Sequence, residues 1–123
     1  MTLPGLHHVQ IAIPAGGEDA ARHFYGDILD LMEIEKPENL RARGGVWFET
    51  ATLQVHLGVD AAFRPAQKAH VAFQVANLEE LRLRLSANGF AAVVDEPLPG
   101  YARFYVSDPF GNRIELMELT TGG

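Results

Sequence analysis

Two stretches of the chain are written almost alike: "LHHVQIAI" at residues 6–13 and "KAHVAFQV" at residues 68–75. In the first, Val9, Ile11 and Ile13 alternate with His8, Gln10 and Ala12; in the second, Val71, Phe73 and Val75 alternate with His70, Ala72 and Gln74. A period of two residues is that of a strand buried on one face. In both copies a histidine leads the face turned away from the apolar one. At 123 residues the chain is long enough for one sizeable core but short for two independent ones. The duplication is therefore expected to build a single domain over residues 1–123 from two modules, about residues 5–60 and about residues 67–120.

Each module continues in the same order. After Pro14, "GGEDAARHFYGDILDL" places Glu18 and Asp19 in a first helical turn and repeats Ala21, Phe24, Ile28 and Leu31 at helical spacing. Beyond the Pro- and Gly-bearing "EKPENLRARGG", residues 46–49 and 52–59 read as two strands of a meander. The second has Leu53, Val55 and Leu57 on one face and Gln54 and His56 on the other. "AAFRPAQK" crosses to the second module, where "NLEELRLRLSANGF" predicts a helix. Asn77 is its cap, Glu80 completes a capping box, Leu78, Leu81 and Leu85 form the stripe, and Gly89 is the stop. "AAVVDEPLPG", "YARFYV" and "NRIELMEL" follow as three strands, the last two joined by the turn "DPFGN". In the last strand Ile114 and Leu116 face one way and Arg113, Glu115 and Met117 the other, and the closing "TTGG" reads as a tail. Both halves thus read β-α-β-β-β, an α+β fold with apolar faces toward the helices.

Several function classes fall away. A net charge of −6 without a long basic run argues against nucleic acid as the partner. With no cysteine there is no disulfide scaffold, thiolate metal site or thiol nucleophile. "MTLPGLHHVQ" lacks the basic start and apolar run of a signal peptide, and no segment has the length to span a bilayer. A cytoplasmic protein with a small-molecule partner, no nucleic acid and no membrane is the expectation. "AGGEDA" lacks the spacing of a phosphate-binding loop, and no serine sits in a nucleophile elbow.

"LHHVQIAIP", "ARHFYGDILDLME", "KAHVAFQV" and "FYVSDPFGNRIELME", in that order and over nearly the whole chain, resemble the vicinal oxygen chelate superfamily, the glyoxalase, bleomycin-resistance and extradiol-dioxygenase group. The closing "FYVSDPFGNRIEL" is the most specific part of the resemblance. The resemblance implies tandem βαβββ modules forming a cupped mixed sheet, one divalent metal ion (Fe, Mn, Ni, Co or Zn) and a homodimer. Position by position it implies His8, His70 and Glu115 as metal ligands. The fourth place falls on Gln54 or His56 according to how the strands are aligned, and the two share a face. Imidazole is the better donor for borderline metals, which favours His56.

Taken singly, a histidine on a strand is most often a packed or surface residue; the matched parity of a duplicated frame sets His8 and His70 apart. His7, on the face opposite His8, His23 on a solvated helix, and Glu118, on the face opposite Glu115, carry no such signal. Gln10, Gln74, Tyr101 and Arg103 are expected to line the substrate side; Trp47 is expected in the core. The function expected is a metal-dependent enzyme acting on a small molecule with vicinal oxygens, with Glu115 as catalytic base. A lyase or isomerase is preferred over a dioxygenase because four protein ligands leave fewer open positions. The alternative is a metal-free protein of the same fold that binds and sequesters a small molecule.

Overall fold

The computed structural model describes residues 2–120, so everything in the closing tail after Thr120 lies outside the described residues. The chain divides into two compact units, residues 1–65 and 66–123.

The first unit runs β1 (His8–Ile13), α1 (Glu18–Ala21) continued by a π-helical segment (Arg22–Ile28), β2 (Met32–Ile34), a 3-10 helix (Glu38–Arg43), β3 (Val46–Glu49) and β4 (Gln54–Val59). Its four strands lie in the order β1-β4-β3-β2, with β1 parallel to β4 and the other pairs antiparallel. A parallel pair needs a crossover, and the helical segment supplies it. Ile13, Val46, Phe48, Val55 and Leu57 are buried on one sheet face, and Ala21, Phe24, Tyr25 and Ile28 are buried on the helix. Tyr25 and Phe48 meet with ring centroids 6.3 Å apart. Gly26 makes room for that contact, since a Cβ there would stand 3.3 Å from the Phe48 ring.

Helical spacing alone misses two features of this unit. The helical segment ends at Ile28, and Asp30 just beyond it, with a φ of 63°, turns the chain away, so Leu31 is not the fourth stripe residue. Met32–Ile34 then pairs with β3, a short strand between the helical stretch and "EKPENLRARGG" to which the sequence pattern assigns no element. β4 starts at Gln54 rather than Thr52 because the Thr50 hydroxyl accepts the N–H groups of Thr52 and Leu53, closing a turn just before it.

The second unit contains β5 (Val71–Gln74), α2 (Leu78–Ala87), β6 (Tyr101–Ser107) and β7 (Arg113–Leu119), with strand order β5-β7-β6. β5 is parallel to β7 and β6 antiparallel to it. Phe104, Val106, Ile114 and Leu116 form the buried face, and Leu81 and Leu85 of α2 are buried with them. Asn77 caps α2 by accepting the Glu80 N–H at 3.1 Å. The reciprocal half of the capping box is absent: the Glu80 carboxylate lies 3.6 Å from Arg84 instead. Glu118 serves a different orphan donor of the first turn: its Oε1 accepts the Leu78 N–H at 2.6 Å, so Glu118 is a helix cap and not an idle surface carboxylate.

The expected strand over "AAVVDEPLPG" is reduced to isolated bridges at Val93–Tyr105 and Leu98–Tyr101. Pro97 and Pro99 have no N–H to give to a ladder, and Val94 is exposed. The second module is therefore βαββ with an irregular segment where the fourth strand was expected. The turn "DPFGN" is a hub: buried Asp108 accepts the N–H groups of Phe110 and Asn112 through Oδ1 and the Asn112 amide through Oδ2. Asn112 Oδ1 in turn accepts the Ala66 N–H, and Arg113 N–H donates to Ala66 O, which fixes the start of the unit against the head of β7.

Candidate functional site

In the first unit the face opposite the core carries the marked residues. The register pairs His8 with Gln54, Gln10 with His56, and Trp47 with His56, so these side chains share one face. Three rings stack across it: Trp47 on His56 at 3.8 Å and 1°, and His56 on His8 at 4.2 Å and 13°. Trp47 is thus half-buried on the histidine face, not in the core. His56 is buried in the sandwich, and its Nε2 lies 2.8 Å from Gln54 Oε1. Burial first, and then the neighbouring charges of His8, His7 and Lys36, push its pKa from 6.5 down to about 4, so the ring is neutral near pH 7.

His56 and Gln54, the two candidates for a fourth ligand, therefore engage each other, and both faces of the His56 ring are covered. His8 is more open; its Nδ1 lies 2.9 Å from His7 Nδ1, and its Nε2 makes no hydrogen bond among the described residues. Gln10 lies over Gly58, where a Cβ would stand 2.7 Å from its amide nitrogen, so the glycine is what lets that side chain lie along the sheet.

In the second unit, register places Ala72, Gln74, Arg103, Tyr105, Glu115 and Met117 on the face away from α2, with Tyr101 further along the same strand. His70 stands just before β5. Its Nδ1 is 2.9 Å from Lys68 O, and its Nε2 is 2.9 Å from Glu115 Oε1. A carbonyl and a carboxylate each only accept, so Nδ1 donates to Lys68 O and Nε2 donates to Glu115 when it carries a proton. Arg103 donates to the other carboxylate oxygen, Oε2, at 3.2 Å, and to the Tyr105 hydroxyl at 2.9 Å. The Glu115 side chain is only 7% exposed. Burial alone would raise its pKa, but the hydrogen bonds from His70 and Arg103 outweigh burial and hold it below the usual carboxylate range.

Tyr105 and Arg113 carried no signal when the sequence was read for histidines and carboxylates. The Tyr105 ring has the Arg113 guanidinium 3.6 Å from its centroid and the His70 ring edge-on at 5.3 Å. The register around "DPFGN" contains the missing clue, because it sets Tyr105 directly opposite Glu115. No side-chain hydrogen bond is made by Gln74 or Tyr101 among the described residues.

The second-unit donors fit a divalent cation. Two donors bound at right angles about 2.1 Å from one ion lie about 3.0 Å apart; His70 Nε2 and Glu115 Oε1 are 2.9 Å apart. Each is oriented by an outer partner, Lys68 O on the far imidazole nitrogen and Arg103 on the far carboxylate oxygen. Among the described residues of either unit, no group of three or more His, Asp or Glu side chains is gathered as a closed metal cage.

Residues 5–116 match the glyoxalase/bleomycin resistance protein/dioxygenase superfamily. Among solved structures, a protein assigned to the glyoxalase family from Bacillus anthracis is 46% identical over 98% of both chains, with a TM-score of 0.93. A glyoxalase/dioxygenase from Nostoc punctiforme is 22% identical over 95% of this chain and 92% of that one, with a TM-score of 0.77. The fosfomycin resistance protein FosX of Listeria monocytogenes is 20% identical over 99% and 96%, with a TM-score of 0.71. No curated protein matches the chain. The duplicated strand–helix frame, the mixed sheets of both units and the match over residues 5–116 together make the chain a member of the glyoxalase/bleomycin resistance protein/dioxygenase superfamily.

Proposed function

We propose that the protein is a divalent-metal-dependent enzyme acting on a small molecule with adjacent oxygens, with His70 Nε2 and Glu115 Oε1 as two of the metal's ligands. The observation that carries this is the 2.9 Å approach of His70 Nε2 to Glu115 Oε1, with Nδ1 already turned to Lys68 O. With the Nε2 proton displaced, the two atoms would offer one lone pair each to a single positive centre, and a metal ion of the Fe, Mn, Co, Ni or Zn group suits an imidazole and a carboxylate. When bound, the metal would act as a Lewis acid toward the substrate oxygens. His56, covered on both faces, fits a support for His8 better than a fourth ligand.

The chain's own residues suit proton transfer. Glu115 is held ionised by His70 and Arg103, the state a general base requires. That supports lyase or isomerase chemistry over dioxygen chemistry. Oε2 is occupied by Arg103, so Oε1 would serve as ligand and would accept a proton only when released from the metal. Gln10 sits on the His8 face and Gln74 on the Glu115 face, and they are the substrate-side residues in this reading.

One observation favours the metal-free alternative, a binding protein of the same fold: a His70 carrying protons on both nitrogens would satisfy Glu115 directly as an ion pair. Metal titration of protein purified without a chelator or metal-binding tag decides between them. About one equivalent should bind at neutral pH, and His70→Ala should weaken it by roughly 100-fold or more with unchanged far-UV circular dichroism. A parent that takes up none of the five metals, or a variant that binds like the parent, overturns the enzyme reading in favour of the binding protein.

A further inference from the structure

The Arg103 guanidinium joins two parts of the second unit. Its Nη1 donates to Glu115 Oε2 at 3.2 Å and to the Tyr105 hydroxyl at 2.9 Å, while its Nη2 donates to the carbonyl of Glu96 at 2.6 Å. Glu96 belongs to the irregular segment between the isolated bridges at Val93 and Leu98. Arg113, lying on the Tyr105 ring, reaches Asp95 Oδ2 at 3.5 Å beside it. Between the two bridges the segment is thus tied to the sheet by arginine side chains where a strand would be tied by a backbone ladder. The Nε of Arg103 is buried with no partner among the described residues. The orientation of the guanidinium is set by its two terminal nitrogens, at the expense of the third.

We propose that Arg103 is a positioning residue that latches the 93–100 segment to Glu115: one guanidinium pins Oε2, so that Oε1 is presented to His70, and holds the segment by the Glu96 carbonyl. The coupling has a definite sign. A cation at Oε1 draws negative charge from the carboxylate and weakens its attraction for Arg103, so loading the site loosens the segment, and a segment held closed opposes loading. This second half rests on the metal reading above; the latch itself does not. A lysine keeps the charge but has a single head, which cannot bridge a carboxylate and a carbonyl on separate elements as a planar fork does.

Amide exchange at Val93, Glu96 and Tyr101, referenced to amides of α2, tests the latch in metal-free protein. Arg103→Gln should speed exchange at these three amides by about fivefold or more with α2 unchanged. Arg103→Lys, which keeps the charge but not the fork, should leave exchange fast as well, and it carries the test if the glutamine variant does not fold. In the parent, added metal should speed the same amides, and that response should vanish in Arg103→Lys. Exchange equal to the parent in both variants overturns the latch. A metal response that persists in Arg103→Lys overturns the coupling. A parent that binds no metal removes the metal reading, while metal-free exchange still decides whether Arg103 holds the segment.

Discussion

His56 shows how a single side chain can look like a ligand in sequence and act as a scaffold in the fold. Its ring lies between Trp47 and His8, and its Nε2 meets Gln54. The pKa of about 4 makes this visible in solution. The unfolded chain takes up the His56 proton near pH 6.5, whereas the folded chain resists until about pH 4, so the unfolded state binds more protons in that window. The stabilising contribution of a neutral His56 is complete above pH 6.5 and lost as pH falls toward 4, a change of up to about 3 kcal/mol. His56→Phe keeps a flat ring in the stack and removes the titration. Urea unfolding from pH 7.5 to 4 should therefore show a shallower loss of stability in the variant; an unchanged slope would mean that His56 titrates normally and is not enclosed.

At the scale of elements, α2 is the best-specified segment, and its start holds a testable division of labour. Asn77 satisfies the Glu80 N–H, and Glu118 satisfies the Leu78 N–H from the neighbouring strand. Because the two side chains serve different donors, Asn77→Ala and Glu118→Ala should each cost about 1 kcal/mol, and the double variant about 2 kcal/mol. Denaturant midpoints read the three values; a double variant no worse than either single one would show that only one cap matters. The asparagine cap was legible in "NLEEL" because capping is a local rule. The glutamate was not, since its partner is 40 residues away and only the sheet register brings them together. The same distinction runs through the fold: alternation placed β1, β5 and β7 and their buried faces, and the spacing around "DPFGN" placed the β6–β7 hairpin. β2 and the irregular 93–100 segment escaped because a three-residue strand and two prolines leave no period to read. At the site, parity found the face of every marked residue, but not what each ring nitrogen or carboxylate oxygen would meet on it.

For the whole molecule, the two sheets leave the same question open twice. β1 ends one sheet and β5 ends the other, each paired on one side only within its own sheet. Apolar side chains stay uncovered in both units: Leu3 is 95% exposed and Leu6 69% in the first, Val94 82% and Val93 59% in the second. A strand edge and uncovered apolar surface together favour association, and closed two-fold symmetry is its commonest outcome. We expect a homodimer whose folding is linked to its assembly. Linked association makes unfolding depend on protein concentration, because dissociation releases two chains from one folded particle. For chains of this length each tenfold rise in concentration should raise the midpoint of thermal unfolding by roughly 3 °C. Calorimetry across 1–100 times a starting concentration, set beside light scattering of the same samples, checks both halves of the expectation. A midpoint that does not move, with a scattering mass of one chain throughout, would show that the monomer is the folded unit and that these edges are tolerated exposed.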